Sequence, residues 1–184
     1  GNDNLSGKTV AVQGIGKVGY HLLELLQKEG AKLYITDINE ASLASASKEF
    51  GAIVVGSDDI YNLDVDIYSP CALGATLNSD TIAQLKCSIV AGAANNQLKD
   101  EKEHGAQLVS KGILYAPDFL INAGGLINVY SEHIGYNRER AISATEKIYD
   151  LSLEIIKVAE DHKIPTKHAA IQLSEKRIAD YTQV

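Results

Sequence analysis

Gly14, Gly16 and Gly19 stand in a G-x-G-x-x-G pattern, and Asp37 closes the next extended run. These residue types at this spacing suit recognition of a dinucleotide. Gly14 lets the backbone turn sharply off a strand, and Gly16 removes a side chain where a pyrophosphate must approach. Gly19 lets the following helix pack close to the sheet. That helix opens with unpaired N–H groups and the positive end of its dipole toward the phosphates. A carboxylate at Asp37 accepts hydrogen bonds from the adenosine ribose 2′- and 3′-hydroxyls and repels a 2′-phosphate, which favours NAD over NADP. Two alternatives stay open: a βαβ glycine turn that binds nothing, and an S-adenosylmethionine site, which also joins a glycine-rich first turn to a later acid.

The elements that must position these residues follow from local pattern. Residues 9–13 are a β-branched strand, and Leu22, Leu23, Leu25 and Leu26 give the next helix an apolar face that Gly30 ends in the C′ manner. Residues 32–36 form the second strand. Asn39 caps a helix over 40–50 that Gly51 stops. Short strands are expected at 52–55, 66–69 (ended by Pro70), 88–91 and 113–115. A polar connection over 58–63, a loop over 71–78, a helix over 79–85 and a helix over 100–110 interrupted at Gly105 lie between them. This alternation predicts an α/β, Rossmann-type doubly wound, mostly parallel sheet with helices on both faces. Beyond Asp118 the pattern is nearly all helical: a turn over 118–122, a backbone break at Gly124-Gly125, and a helix over 126–134. After Gly135, Asn137 caps a long helix to about His162, with an apolar stripe through Ile142, Thr145, Ile148, Tyr149, Leu151, Ile155, Ile156 and Val158. Pro165 and Thr166 open a last helix to about Tyr181. The expected organisation is a linker remnant (1–7), a dinucleotide-binding domain (8–135) and a helical C-terminal extension of that domain (136–184).

In an open parallel sheet, ligands bind outside the carboxyl ends of the strands. Those ends carry the glycine turn, Asp37, Cys71-Ala72-Leu73, residues 92–96 and residues 118–125, which should share one rim. Composition narrows the setting. The 184 residues are 45% hydrophobic with a net charge of −7, so nothing advertises a nucleic-acid or anionic-membrane surface. No apolar run is long enough to span a bilayer and no signal peptide opens the chain. Two cysteines at unrelated positions, Cys71 and Cys87, point to a reducing compartment, the cytoplasm. The five histidines lack close metal-type pairing, so no zinc site is expected. The chain has no Met and enters its first strand within eight residues, which reads as a domain of a longer protein.

The segments VQGIGKVGY, TDIN, PCALGA, IVAGAANNQL, ILYAPDFLINAGGLINVYSE and GYNRERA closely resemble the amino-acid dehydrogenases (Glu/Leu/Phe/Val dehydrogenases). The resemblance is strongest to the leucine/valine/phenylalanine branch, leucine dehydrogenases most of all, and runs from about Leu5 to the end. It implies an NAD-dependent oxidative deamination of an L-amino acid to a 2-oxo acid and ammonia, in a two-domain, homo-oligomeric enzyme whose cleft closes over the substrate. Only the C-terminal, NAD-binding domain is matched. The family's active-site lysines and catalytic aspartate belong to the N-terminal domain, so no catalytic residue is assigned in this chain, and the fragment alone is expected to bind NAD without turnover.

Carried over residue by residue, the resemblance puts the pyrophosphate on the backbone of Gly14, Ile15, Gly16, Lys17, Val18 and Gly19. Asp37 takes the adenosine ribose, Ile38 flanks the adenine, and Cys71 and Ala72 lie by the nicotinamide ribose. Asn95 and Asn122 match amides at the nicotinamide end, and Asn122 is the candidate for touching the amino-acid substrate. A neutral Asn suits that task because it both donates and accepts. Each assignment has a plainer counterpart. The two asparagines could simply cap turns. Cys71 has no evident His partner and reads as an inert thiol, while His21 and His133 read as packed or solvated. Leu151 and Ser152 are candidates for the border of the side-chain pocket. A branched-chain substrate is expected, an aromatic one (phenylalanine or tryptophan) is the alternative, and no basic residue is evidently placed for a glutamate side chain. Outside catalysis, a stand-alone NAD-sensing or interaction module is the competing class. The final helix should pack toward the absent domain, so the fragment is expected to self-associate through it.

Overall fold

Val10, Ala11 and Val12 are all buried, yet they face two different cores, because successive side chains of a strand point to opposite sides of its sheet. They belong to β1 (Thr9–Gln13), which lies in a six-stranded sheet of order β3-β2-β1-β4-β5-β6. The computed structural model describes residues 4–182, with side chains through Asp180. Every strand pair is parallel: β1 with β2 (Lys32–Thr36) and β4 (Ile67–Pro70), β2 with β3 (Ile53–Val54), β4 with β5 (Ile89–Val90), and β5 with β6 (Leu114–Tyr115). Val10 sits opposite Leu33 on one side and Ile67 on the other. The strand order reverses between β1 and β4, and that switch point opens a crevice at the carboxyl ends.

Helices cover both faces, as the pattern predicts. On one, Leu23 and Leu26 of α1 (Lys17–Lys28) and Ala46 and Phe50 of α2 (Glu40–Phe50) close over Val10, Val12, Leu33 and Ile35. On the other, Ile82 of α3 (Ser79–Gln84) and Leu108 of α4 (Glu101–Ser110) close over Ala11, Tyr68 and Val90. Burying a side chain such as Leu23 completely contributes about 1.5–3 kcal/mol. Leu25, expected on the same face, is half exposed. Leu5 packs against the first core, and the Gly7 N–H donates to the Gly30 carbonyl at 2.9 Å. Of the expected linker, residues 1–3 lie outside the described residues.

Several local expectations are met at the atom level. The Asn39 side chain accepts from the Ser42 N–H, and Gly51 adopts a left-handed φ of 66° just after α2. Others are corrected. Pro70 is the last residue of β4 rather than its stop, because the Gln13 carbonyl opposite is satisfied by the Cys71 N–H at 2.7 Å. The flanking strands β3, β5 and β6 shrink to two residues each, and 59–62 form a 3₁₀ turn. Helix α4 continues through Gly105, which is buried against Pro165, so tertiary packing outweighs a helix-propensity cost of about 1 kcal/mol.

The C-terminal region comprises α5 (Asp118–Ile121), α6 (Gly124–His133), α7 (Arg138–His162) and α8 (Thr166–Thr182). Gly124 and Gly125 do not break the chain. They open α6 with helical backbone, and the break falls at Asn122-Ala123 instead. Asn137 caps α7 through the Arg140 N–H at 2.9 Å, as expected. The stripe along α7 is only partly covered: Ile155 and Ala159 are buried with Ala169 and Ala170 of α8, whereas Ile142 and Tyr149 face outward.

Candidate functional site at the strand switch point

The glycine turn divides its work among three positions. Gly14 has a φ of +100°, and a Cβ there would lie 2.5 Å from the Ala72 backbone nitrogen, so the turn meets the end of β4 with no room to spare. At Gly19 a Cβ would lie 2.0 Å from the Gly14 carbonyl oxygen, which makes this residue the close-approach point of α1 to the turn itself. Gly16 differs: it caps α1 in an extended conformation, and a Cβ there would meet nothing within 4 Å. Its missing side chain therefore leaves open space directly before the helix N-terminus, where a phosphate group fits. Ile15 is buried beneath the turn, and Lys17 and Val18 stand exposed on the first helical turn.

Asp37 has a structural task at the turn. Its Oδ2 accepts from the Ile15 N–H at 2.5 Å and its Oδ1 accepts from the Asn39 N–H at 2.8 Å, tying the glycine turn to the end of β2. Each carboxylate oxygen has a further lone pair, so the group can still accept from ribose hydroxyls. Ile38 beside it is fully exposed. Gly14, Gly16, Asp37, Ile38, Cys71 and Ala72 border one cavity of about 500 Å³. Leu73, expected on this rim, also borders it, as do Gln13, Thr36 and Ser57, which the sequence pattern did not single out. Gln13 could have been found from its place as the last residue of β1. Its amide is held by two phenols: Nε2 donates to the Tyr61 hydroxyl at 2.9 Å, and the Tyr68 hydroxyl donates to Oε1. Burial pushes the Tyr68 phenol well above its ordinary pKa, so it stays a donor. Cys71 is half-buried, with its Sγ 3.6 Å from the Ser69 Oγ.

Asn95 and Asn122 do not border this cavity. They meet each other farther along the rim, where Asn122 Nδ2 donates to Asn95 Oδ1 at 2.6 Å. With that bond made, the pair still offers the Asn95 amino group as donor and the Asn122 carbonyl as acceptor. Two loops connect the pair to the cavity. The loop after β4 is laced to the loop after β5 by the Ala75 N–H to the Asn96 carbonyl (2.6 Å) and the Leu77 N–H to the Gln97 carbonyl (2.9 Å). A capping box at Asn78 and Thr81 fixes where the first loop enters α3. The second loop is wound about the fully buried Gln97, whose Nε2 donates to the carbonyls of Gly92 (2.6 Å) and Ala94 (2.9 Å).

An all-parallel sheet ordered 3-2-1-4-5-6, with a glycine turn and a carboxylate at its switch point, defines a doubly wound protein of the dinucleotide-binding class. Within it, the chain belongs to the Glutamate/Leucine/Phenylalanine/Valine dehydrogenase family, whose model matches residues 36–184. A leucine dehydrogenase of Thermoactinomyces intermedius is 54% identical over 178 residues, 97% of this chain and 48% of that protein. An L-tryptophan dehydrogenase of Nostoc punctiforme is 51% identical over 176 residues, 96% of this chain and 50% of that protein. The crystal structure of L-tryptophan dehydrogenase from Nostoc punctiforme superposes on the whole chain with a TM-score of 0.97 at 47% identity, over 55% of its own length. The chain thus spans about half the length of the curated relatives it matches.

Proposed function

We propose that this chain is the NAD-binding half of an enzyme that oxidatively deaminates a branched-chain, leucine-type L-amino acid to its 2-oxo acid and ammonia. The observation that carries the reading is the cavity at the switch point, bordered both by Gly16, where a side chain would meet nothing within 4 Å, and by Asp37. The turn from Gly14 to Gly19 holds the pyrophosphate through the N–H groups at the start of α1, since the Gly14 and Ile15 N–H groups are engaged by the Thr36 carbonyl and Asp37, and Lys17 adds positive charge beside it. Asp37 accepts from the adenosine ribose and disfavours a 2′-phosphate, Ile38 covers the adenine, and Cys71 and Ala72 border the nicotinamide ribose. Asn95 and Asn122 present one donor and one acceptor, matching the acceptor and donor of a carboxamide, and Asn122 also reaches the amino-acid substrate. Bound NAD supplies the hydride acceptor. Proton transfers belong to groups outside this chain, so the chain by itself binds NAD and does not turn over amino acid. The longer enzyme is a cytoplasmic homo-oligomer in this reading. An aromatic amino acid is the second reading, favoured by the 51% identity to an L-tryptophan dehydrogenase.

Calorimetric titration with NAD and NADP, on the chain and on Asp37→Ala, tests the cofactor assignment. Binding of NAD in the micromolar to millimolar range, weaker for NADP and lost in the variant, is the expected result. Binding of S-adenosylmethionine in place of both would overturn it.

A further inference from the structure

The Asn95–Asn122 pair rests on a buried ion pair contributed by the last helix. Asp118 is 3% exposed, and its carboxylate reaches both asparagine-bearing segments. Its Oδ2 accepts from the Gln97 N–H at 3.2 Å, two residues beyond Asn95, and its Oδ1 accepts from the Phe119 N–H at 2.9 Å at the start of α5. The carbonyl of Asp118 in turn accepts from the Asn122 N–H at 3.0 Å. The charge is balanced from α8. Lys167, 7% exposed, places Nζ 3.5 Å from Asp118 Oδ1 and 2.6 Å from Glu101 Oε1, and 5.7 Å from the centre of the Phe119 ring. Next to it, Thr166 donates to the Tyr115 carbonyl at 2.5 Å, which fixes the start of α8 against the end of β6.

We propose that Asp118 and Lys167 are positioning residues that set the separation and orientation of Asn95 and Asn122, and through them the hold on the nicotinamide end of the cofactor. This rests on the NAD reading above. Without Lys167, Asp118 is a buried carboxylate without its cation, and the rim relieves that state by rearranging or by drawing in water. Either change weakens its hold on the Gln97 N–H or the Phe119 N–H, and so moves one asparagine relative to the other. The glycine turn, Asp37 and Ile38 are not touched by the pair, so recognition of the adenosine diphosphate portion is untouched.

The test is the ratio of affinities for NAD and for ADP-ribose, which lacks the nicotinamide, measured by calorimetry on the chain, Lys167→Met and Asp118→Asn. Asp118→Asn is isosteric and neutral, and it gives a second readout where Lys167→Met fails to fold. The expected result is that the chain prefers NAD. The variants should lose between about threefold and tenfold of that preference, the worth of one neutral hydrogen bond, while ADP-ribose binding is unchanged. An unchanged preference in a folded variant, or no preference in the parent chain, overturns the proposal alone. A chain that binds neither ligand overturns it together with the NAD reading.

Discussion

Substituting Gly16 by Ala separates the ligand role of the glycine turn from its folding role, and the geometry gives the size of each effect. Gly16 has φ −73° and ψ −169°, open to any residue, and a Cβ there meets nothing within 4 Å. Alanine restricts the unfolded chain, which stabilises by about 0.4–1 kcal/mol. It is a poorer N-cap than glycine by roughly 0.5–1 kcal/mol. The two terms offset, and the variant should melt within about 0.5 kcal/mol of the parent. Gly19→Ala is the control, because its Cβ would lie 2.0 Å from the Gly14 carbonyl oxygen and α1 must shift to accept it. Overpacking of that kind costs about 1–3 kcal/mol. For binding the order reverses. The methyl introduced by Gly16→Ala would occupy the space assigned to a phosphate oxygen, and forfeiting one charge-assisted hydrogen bond costs about 1.5–3 kcal/mol, roughly tenfold to a hundredfold in NAD affinity. Thermal denaturation and calorimetric titration of both variants read the two effects separately. NAD affinity in Gly16→Ala equal to that of the parent chain would refute the assignment of that space to the pyrophosphate.

Asp66 joins the starts of β1 and β4 by accepting from the Thr9 N–H, the Thr9 hydroxyl and Lys8 Nζ, each at 2.8 Å, and these donors hold its pKa well below the ordinary carboxylate value. A depressed folded pKa contributes stability that is present above the unfolded value near 4 and is lost as pH falls below it. Asp66→Asn should therefore lower the melting temperature at pH 7, and the gap between variant and parent should narrow as the pH is taken down from about 4, read by melting curves across pH. A gap independent of pH would count against the charge as its source. Leu23→Ala, at a fully buried position, should cost about 2–5 kcal/mol, whereas Leu25→Ala, 49% exposed on the same helix, should stay within about 0.5 kcal/mol. Denaturant titration distinguishes them, and equal losses would contradict the observed facing of α1.

What was legible in the sequence was what is set locally. The first strand and the second match residue for residue, as do the Asn39 cap and the left-handed Gly51, because β-branched runs, an Asx cap and a C′ glycine act over a few residues. The glycine pattern and Asp37 were legible for the same reason: strand, turn and helix are contiguous. Glycines at 105 and at 124–125 misled because a propensity cost of about 1 kcal/mol is small against packing, and neither α4 nor α6 yields to it. The least legible feature was the support beneath Asn95 and Asn122, since Gln97, Asp118 and Lys167 come together only in the folded chain. One signal for it was nonetheless present. Lys167 falls in the first turn of α8, where the helix dipole disfavours a cation, so a lysine there needs carboxylates from elsewhere in the fold. Asp118 and Glu101 supply them, each from the first turn of its own helix, the end at which a carboxylate is favoured. One cation on α8 thus serves a buried carboxylate at 3.5 Å and an exposed one at 2.6 Å. That cation, drawn from a third helix, is what lets Asp118 and Glu101 share its neighbourhood with less mutual repulsion.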